Sequence, residues 1–188
     1  MLIDALHPQL CTELPIPGTR ITIPGEEMTI LSQDESRVTF HVIRDPFEIP
    51  NYEMQPAHGH IHPNQAEGFE VIEGRAAFII GDERLVLGPG EVGIVPPNTI
   101  HHWMALDDKP VTVRAYFEPA LDISAWFLYF QHHIANDSID LLQAAVISRE
   151  FSASSPVPVE PPAWVWNIVS RILAPIGRLS GYQACSLS

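Results

Sequence analysis

The chain has 188 residues, 46% of them hydrophobic, and a formal net charge of -13; this is enough apolar material for one domain with an appendage, and the acidity argues against a partner with a phosphate backbone. Its ten Lys and Arg residues are scattered, so no basic patch marks a nucleic-acid surface, and the excess of acid reads as a solubility device. The longest apolar stretches are broken by Arg171, Pro175 and Arg178, which excludes a transmembrane span, and the opening MLIDALHPQLCTEL lacks a basic n-region and makes a poor signal peptide.

The two cysteines, Cys11 and Cys185, lie near opposite ends. Two cysteines do not build a disulfide framework, so a reducing, cytoplasmic setting is the default, with a single bridge between them left open. Short runs rich in β-branched and aromatic residues follow at 28–31, 38–43, 68–72, 76–80, 84–87, 92–95 and 111–117. They are punctuated by Gly81-Asp82, Pro89-Gly90 and Pro96-Pro97-Asn98, and predict an all-β sandwich or barrel. After Pro119 the apolar spacing turns helical over 121–135. Asn136-Asp137-Ser138 reads as a break and a new N-cap, and a second helix is expected over 139–147. A Ser/Pro-rich loop spans 151–162, and a last helix spans 163–179, bent or ended near Pro175.

That last helix carries Trp164, Trp166, Ile168, Val169, Ile172 and Leu173, but no basic face for a membrane surface. It is expected to dock on the barrel or on a second subunit. Cys185-Ser186-Leu187-Ser188 has the outline of a prenylation box, but lacks an upstream polybasic run and reads as a frayed tail.

The chemistry concentrates in two strand segments, HGHIHPNQAEGFEVIEG and GPGEVGIVPPNTIHHW. Alternation along a strand points His60 and His62 the same way. Glu67 follows after a turn at Pro63-Asn64, and His101 arrives from the distant segment. Three imidazoles and one carboxylate suit a first-row divalent metal and leave coordination positions for substrate or water. The alternative for each histidine is an ordinary strand residue with satisfied hydrogen bonds. His58 shares the parity of His60 and His62 and reads as a rim residue, with spare ligand or proton shuttle as alternatives. His102 should point away from His101. Trp103 shares its parity and walls a pocket or fills the core; Phe69 and Phe78 carry the same ambiguity. Tyr52, Arg114 and Tyr116 offer polar contacts. His132 and His133 sit on a predicted helix, about 100° apart, and cannot both face one site.

These segments resemble the two motifs of the cupin superfamily. The first is matched by His60, His62, Glu67 and Gly74, the second by Gly90, Pro96 and His101. The resemblance covers about 38–117. Met54 stands where the family often has Gly, Asn98 replaces a Gly, and Ala105 stands where an Asn is expected. Asn tolerates a left-handed backbone, so Asn98 is compatible.

The resemblance implies a cupin jelly-roll, or double-stranded β-helix, barrel with a helical C-terminal extension. It divides the chain into 1–119, a barrel with an N-terminal arm, and 120–188, helices packed on it. It also implies one divalent metal on His60, His62, Glu67 and His101, with Fe(II) favoured and Mn, Ni, Cu or Zn as alternatives. The helical tail resembles that of small fungal cupins of secondary metabolism. The expected function is a metal-dependent enzyme on a small phenolic or polyketide-like molecule, first a dioxygenase. The alternatives are a non-redox isomerase, cyclase or decarboxylase, or a ligand-binding cupin without catalysis. Glu67 and His58 are the catalytic candidates; Phe69, Phe78, Trp103 and Tyr116 are the pocket candidates. Strand edges that need cover suggest a homodimer.

Overall fold

The structure is a computed structural model and describes residues 14–46, 59–135, 139–159 and 162–185. Ten strands come first: β1 Arg20–Ile23, β2 Glu26–Gln33, β3 Val38–Arg44, β4 His60–Ile61, β5 Ala66–Glu73, β6 Ala76–Ile80, β7 Glu83–Leu87, β8 Val92–Val95, β9 His101–Ala105 and β10 Val111–Glu118. Three helices follow, α1 Ile123–Ala135, α2 Leu141–Glu150 and α3 Ala163–Leu179, with a two-residue strand, β11 Val157–Pro158, before the last. The strands form two antiparallel sheets. One is ordered β1-β2-β3-β10-β5-β8, the other β11-β4-β9-β6-β7.

Alternation decides which side chains enter the core between the sheets. On β3 these are Val38, Phe40 and Val42, on β10 Val111, Val113, Ala115 and Phe117, and on β6 Ala76 and Phe78, all buried. Phe69, Phe78 and Trp103 form one aromatic cluster, with Phe78 and Trp103 stacked at 5.8 Å. Gly81-Asp82 makes the two-residue hairpin between β6 and β7, and Gly81 holds the positive φ of 60° the turn needs. Asn98 also adopts a φ of 60°, the left-handed conformation anticipated for it. Its N–H donates to the carbonyl of His62 at 2.8 Å, which ties the turn before β9 to the end of β4.

The helices pack as a continuation of this core. Phe127 of α1 meets Phe40 edge-on at 5.7 Å, and Tyr129 stacks on Phe151. The N-cap of α2 is Asp140, which accepts from the N–H groups of Leu142 and Gln143 at 2.9 Å. This corrects the cap expected at 136–138, which lie outside the described residues. An N-cap side chain accepts from the N–H of the second or third helical residue, and Asp140, directly before Leu141, has that offset to both Leu142 and Gln143. α2 and α3 approach closely at Gly177, where an added Cβ would stand 2.8 Å from Cγ2 of Val146. Arg178 closes the pair with a 3.0 Å ion pair to the buried Glu150. α3 runs through Pro175 instead of ending there. Its outer side leaves Trp164, Ile168, Ile172, Ile176 and Leu179 exposed.

Cys185 is disulfide-bonded; Cys11, the chain's other cysteine, lies outside the described residues. A sulfur in a disulfide is not available to a prenyl thioether. No described helix is long and apolar enough to cross a membrane.

Candidate metal centre

His60 and His101 are direct partners across the β4–β9 ladder. A non-slipping cross-strand pair puts two side chains side by side on one face, and their ring centroids are 4.4 Å apart. His62 follows β4 and rests edge-on against Phe117 at 5.1 Å. Glu67 comes from the other sheet, on β5, between Phe117 of β10 and Val95 of β8. The strand leading to it is held by buried Gln65, whose amide donates to the carbonyls of Pro119 and Ala120.

The four side chains converge. His60 Nε2 is 3.1 Å from His62 Nε2, His101 Nε2 is 2.7 Å from a Glu67 carboxylate oxygen, and the same oxygen is 3.6 Å from His62 Nε2. All four ligand atoms lie within 4.8 Å of one another. Ligands about 2.1 Å from one cation stand roughly 3.0 Å apart as octahedral neighbours and about 4.2 Å apart across it. The observed separations bracket those values, so the cluster fits a divalent metal. His60, His62, Glu67 and His101 would hold it.

The electrostatics agree. Burial, together with the neighbouring His101 and His62, drives the His60 pKa well below its ordinary value. Burial likewise lowers His62, against the opposing charge of Glu67. Both imidazoles are therefore neutral, with lone pairs free for a cation. Burial opposes protonation of His101 too, but its hydrogen bond to Glu67, the Glu67 charge and the Thr99 carbonyl outweigh it and raise the pKa. His101 Nδ1 donates to Thr99 O at 2.9 Å, which fixes the ring and aims Nε2 at the cluster. The Glu67 oxygen that favours the protonated form of His101 is thus the one that would face a cation.

His60, His62 and Glu67 of the cluster line a cavity of about 580 Å³. Trp103 lines it, as do Trp126, Phe127 and Phe130 of α1 and Trp166 of α3. Trp126, Phe130 and Trp166 stand out in the sequence as apolar helical positions, but only the packing of α1 and α3 brings them to this cavity. Phe69 and Phe78 lie beneath Trp103 in the core and are not among the lining residues. Tyr116 is placed elsewhere: its ring covers Gly68 and lies under the Arg37 guanidinium at 4.4 Å. On β10 the buried positions are 111, 113, 115 and 117, so 116 faces the other way. His102 lines the cavity. His58, Tyr52 and Met54 lie outside the described residues. The two charged lining residues outside the cluster escaped the sequence reading altogether: Glu26 of β2 and Arg44 of β3.

Comparison with known proteins adds a family. Residues 50–121 match the cupin domain family. No curated protein matches this chain in sequence. Solved structures that resemble it include KdgF from a Halomonas species, 21% identical over 56% of this chain and 91% of its own, with a TM-score of 0.48. An RmlC-like cupin from Shewanella frigidimarina NCIMB 400 is 19% identical over 55% and 85%, with a TM-score of 0.44. Pac13, described as a nucleoside dehydratase and known from Streptomyces, is 18% identical over 57% and 82%, with a TM-score of 0.45. The matched segment contains His60, His62, Glu67 and His101, so all four members of the cluster fall within the stretch that is similar to the cupin domain family.

Proposed function

We propose that the chain is a mononuclear metal-dependent enzyme acting on a small chelating organic molecule. The observation that carries this reading is the convergence of four ligand atoms within 4.8 Å, three of them from residues that line an aromatic-walled cavity of about 580 Å³. A divalent cation there keeps net positive charge, because its ligands are three neutral imidazoles and one carboxylate, and it supplies Lewis acidity toward an oxygen of the substrate. Trp103, Trp126, Phe127 and Phe130 would clasp an apolar body and exclude water. The two sheets are read as a jelly roll. Residues 1–119 are read as the barrel with its N-terminal arm, and 120–188 as the helical extension that walls the cavity.

The reaction class supported best is non-redox: isomerisation, cyclisation or decarboxylation through proton transfer. Glu26, a carboxylate outside the ligand set, lines the cavity, and oxygen insertion does not call for one. A dioxygenase with Fe(II) is the second reading, favoured by the coordination positions that four protein ligands leave for a chelating substrate and O₂.

Metal-stripped protein reloaded with Fe(II), Mn(II), Ni(II) or Zn(II) should take up one ion per chain, and His60→Ala should take up none. Unchanged stoichiometry in the variant would sink the assignment. Oxygen uptake by Fe(II)-loaded protein with a chelating phenol or diketone separates the two reactions. Pairing of two copies through the exposed isoleucines of α3 would account for the homodimer expected from the sequence; sedimentation velocity tests it.

A further inference from the structure

Glu26 and Arg44 are cross-strand partners in the β2–β3 ladder. Arg44 Nη1 donates to a Glu26 carboxylate oxygen at 3.1 Å, and the guanidinium carbon stands 4.7 Å from the centre of the Trp103 ring. The stack on Trp103 and the ion pair hold one another, so the carboxylate is fixed beside the cavity. The two side chains are only 21% and 12% exposed. An ion pair this buried recovers its desolvation cost poorly, and an apolar pair would hold β2 to β3 at least as well. Its presence in the wall of the metal-binding cavity therefore points to chemistry and not to stability.

Among the described residues, Arg44 comes from β3, the Glu67 charge acts from β5, and His60, His62 and His102 border the same cavity, while Ile23 at the end of β1 and the following Pro24 are apolar. Burial raises the Glu26 pKa to about 7, with Arg44 opposing and Glu67 assisting. A carboxyl group balanced near neutrality both accepts and donates a proton at working pH.

We propose that Glu26 is the proton carrier of this cavity, moving a proton between two positions of a substrate that chelates through two oxygens and bears an acidic C–H beside one of them. That class comprises α-hydroxy ketones with an apolar body. The inference rests on the metal-dependent reading above. In the forward step the C–H bond beside the carbonyl breaks and an O–H bond forms on Glu26, while the C–H pair becomes a C=C bond and the carbonyl π pair moves onto its oxygen. In the return step the hydroxyl proton passes to that oxygen, the hydroxyl O–H pair forms the new C=O bond, and the C=C pair takes a proton back from Glu26 as a C–H bond at the former carbonyl carbon. No electrons enter or leave. Arg44 is a positioning residue that keeps the carboxylate aimed.

Phenacyl alcohol is a suitable probe: it chelates through two oxygens, carries an apolar ring and has an acidic methylene. In deuterium oxide the metal-loaded protein should exchange that methylene faster than the same ion in buffer. Glu26→Gln should slow the exchange about a hundredfold or more, in line with the contribution of a general acid–base group, with metal content unchanged; Glu26→Asp should keep part of the rate. Independently, NMR of isotope-labelled glutamate carboxyls in metal-free wild-type protein should show one carboxyl titrating near neutrality, which Glu26→Gln removes. This second measurement decides the matter if Glu26→Gln folds poorly. Equal exchange in wild type and Glu26→Gln, no exchange in metal-loaded wild type, or all glutamates titrating in the ordinary carboxylate range would overturn the proposal. A wild-type protein that takes up no metal would overturn the reading beneath it instead, and metal analysis of the same samples tells the two failures apart.

Discussion

Replacing Glu26 by Gln in the metal-free protein should make it more stable at slightly alkaline pH, although the substitution deletes one half of an ion pair. The Glu26 pKa lies at about 7 in the folded chain against an ordinary value of 4.5. Between those two values the folded state keeps a proton that the unfolded state has already released. Stability therefore falls as pH rises through that window, by at most about 1.4 kcal/mol per pH unit for a single group. The shift of about 2.5 pH units amounts to about 3 kcal/mol in all. Below the window the carboxyl is neutral in both states, and Gln, its near-isostere, should match it. Above the window wild type bears the full cost of a buried carboxylate and the variant does not. His60, His62 and His101 titrate in both proteins and largely cancel in the difference. Urea unfolding of the two proteins from about pH 4 to about pH 8 should thus show a gap that opens from near zero to about 3 kcal/mol in favour of Glu26→Gln. A gap that stays flat across the range, or opens in favour of wild type, would refute the argument.

His101→Ala removes a ligand and the 2.7 Å partner of Glu67. Divalent-metal affinity should fall by more than about a hundredfold, since losing even an outer hydrogen-bond partner of a ligand costs roughly 10–100-fold; competition with a chromophoric chelator measures it, and an unchanged Kd would contradict the site. Because Glu67 raises the His101 pKa, metal entry must displace a proton, so affinity should climb with pH. Calorimetry in two buffers of different ionisation enthalpy should show proton release near neutrality, and none would speak against the raised value. Gly177→Ala places a Cβ 2.8 Å from Val146 and 3.3 Å from the Leu142 carbonyl oxygen. The overpacking, about 1–3 kcal/mol, should outweigh the roughly 1 kcal/mol gain in helix propensity, and a variant with a raised Tm would show that α2 and α3 can part. Phe78→Ala should cost about 3–5 kcal/mol, because its ring touches both Phe69 and Trp103.

The four residues that cluster were legible in the sequence because their signal is local: two histidines at the strand period and a carboxylate one turn later. Even His101, remote in sequence, announces itself within a turn-bounded strand. Glu26 and Arg44 announce nothing, since an acid and a base on separate strands are the commonest of surface patterns. Only the β2–β3 register makes them partners, and only the fold turns that pair inward. Strands β1 and β11, of four and two residues, were missed for a related reason, being ordered by their neighbours and not by any pattern of their own. Tyr116 shows the opposite case. Strict alternation with Ala115 and Phe117 already assigned it to the outer side, and treating it as a pocket residue overlooked a rule that strand patterning supplies.

His60 and His101 belong to one sheet and Glu67 to the other, so an ion gripped by all of them works as a rivet between two plates. Its occupancy and the parting of those plates are then a single linked equilibrium: an ion at a hundred times its Kd adds about 2.7 kcal/mol against any opening that separates them. The amides of β5 and β9 should report this in concert, slowing their exchange with solvent together as the ion is supplied, while the outer turns of α3 stay indifferent.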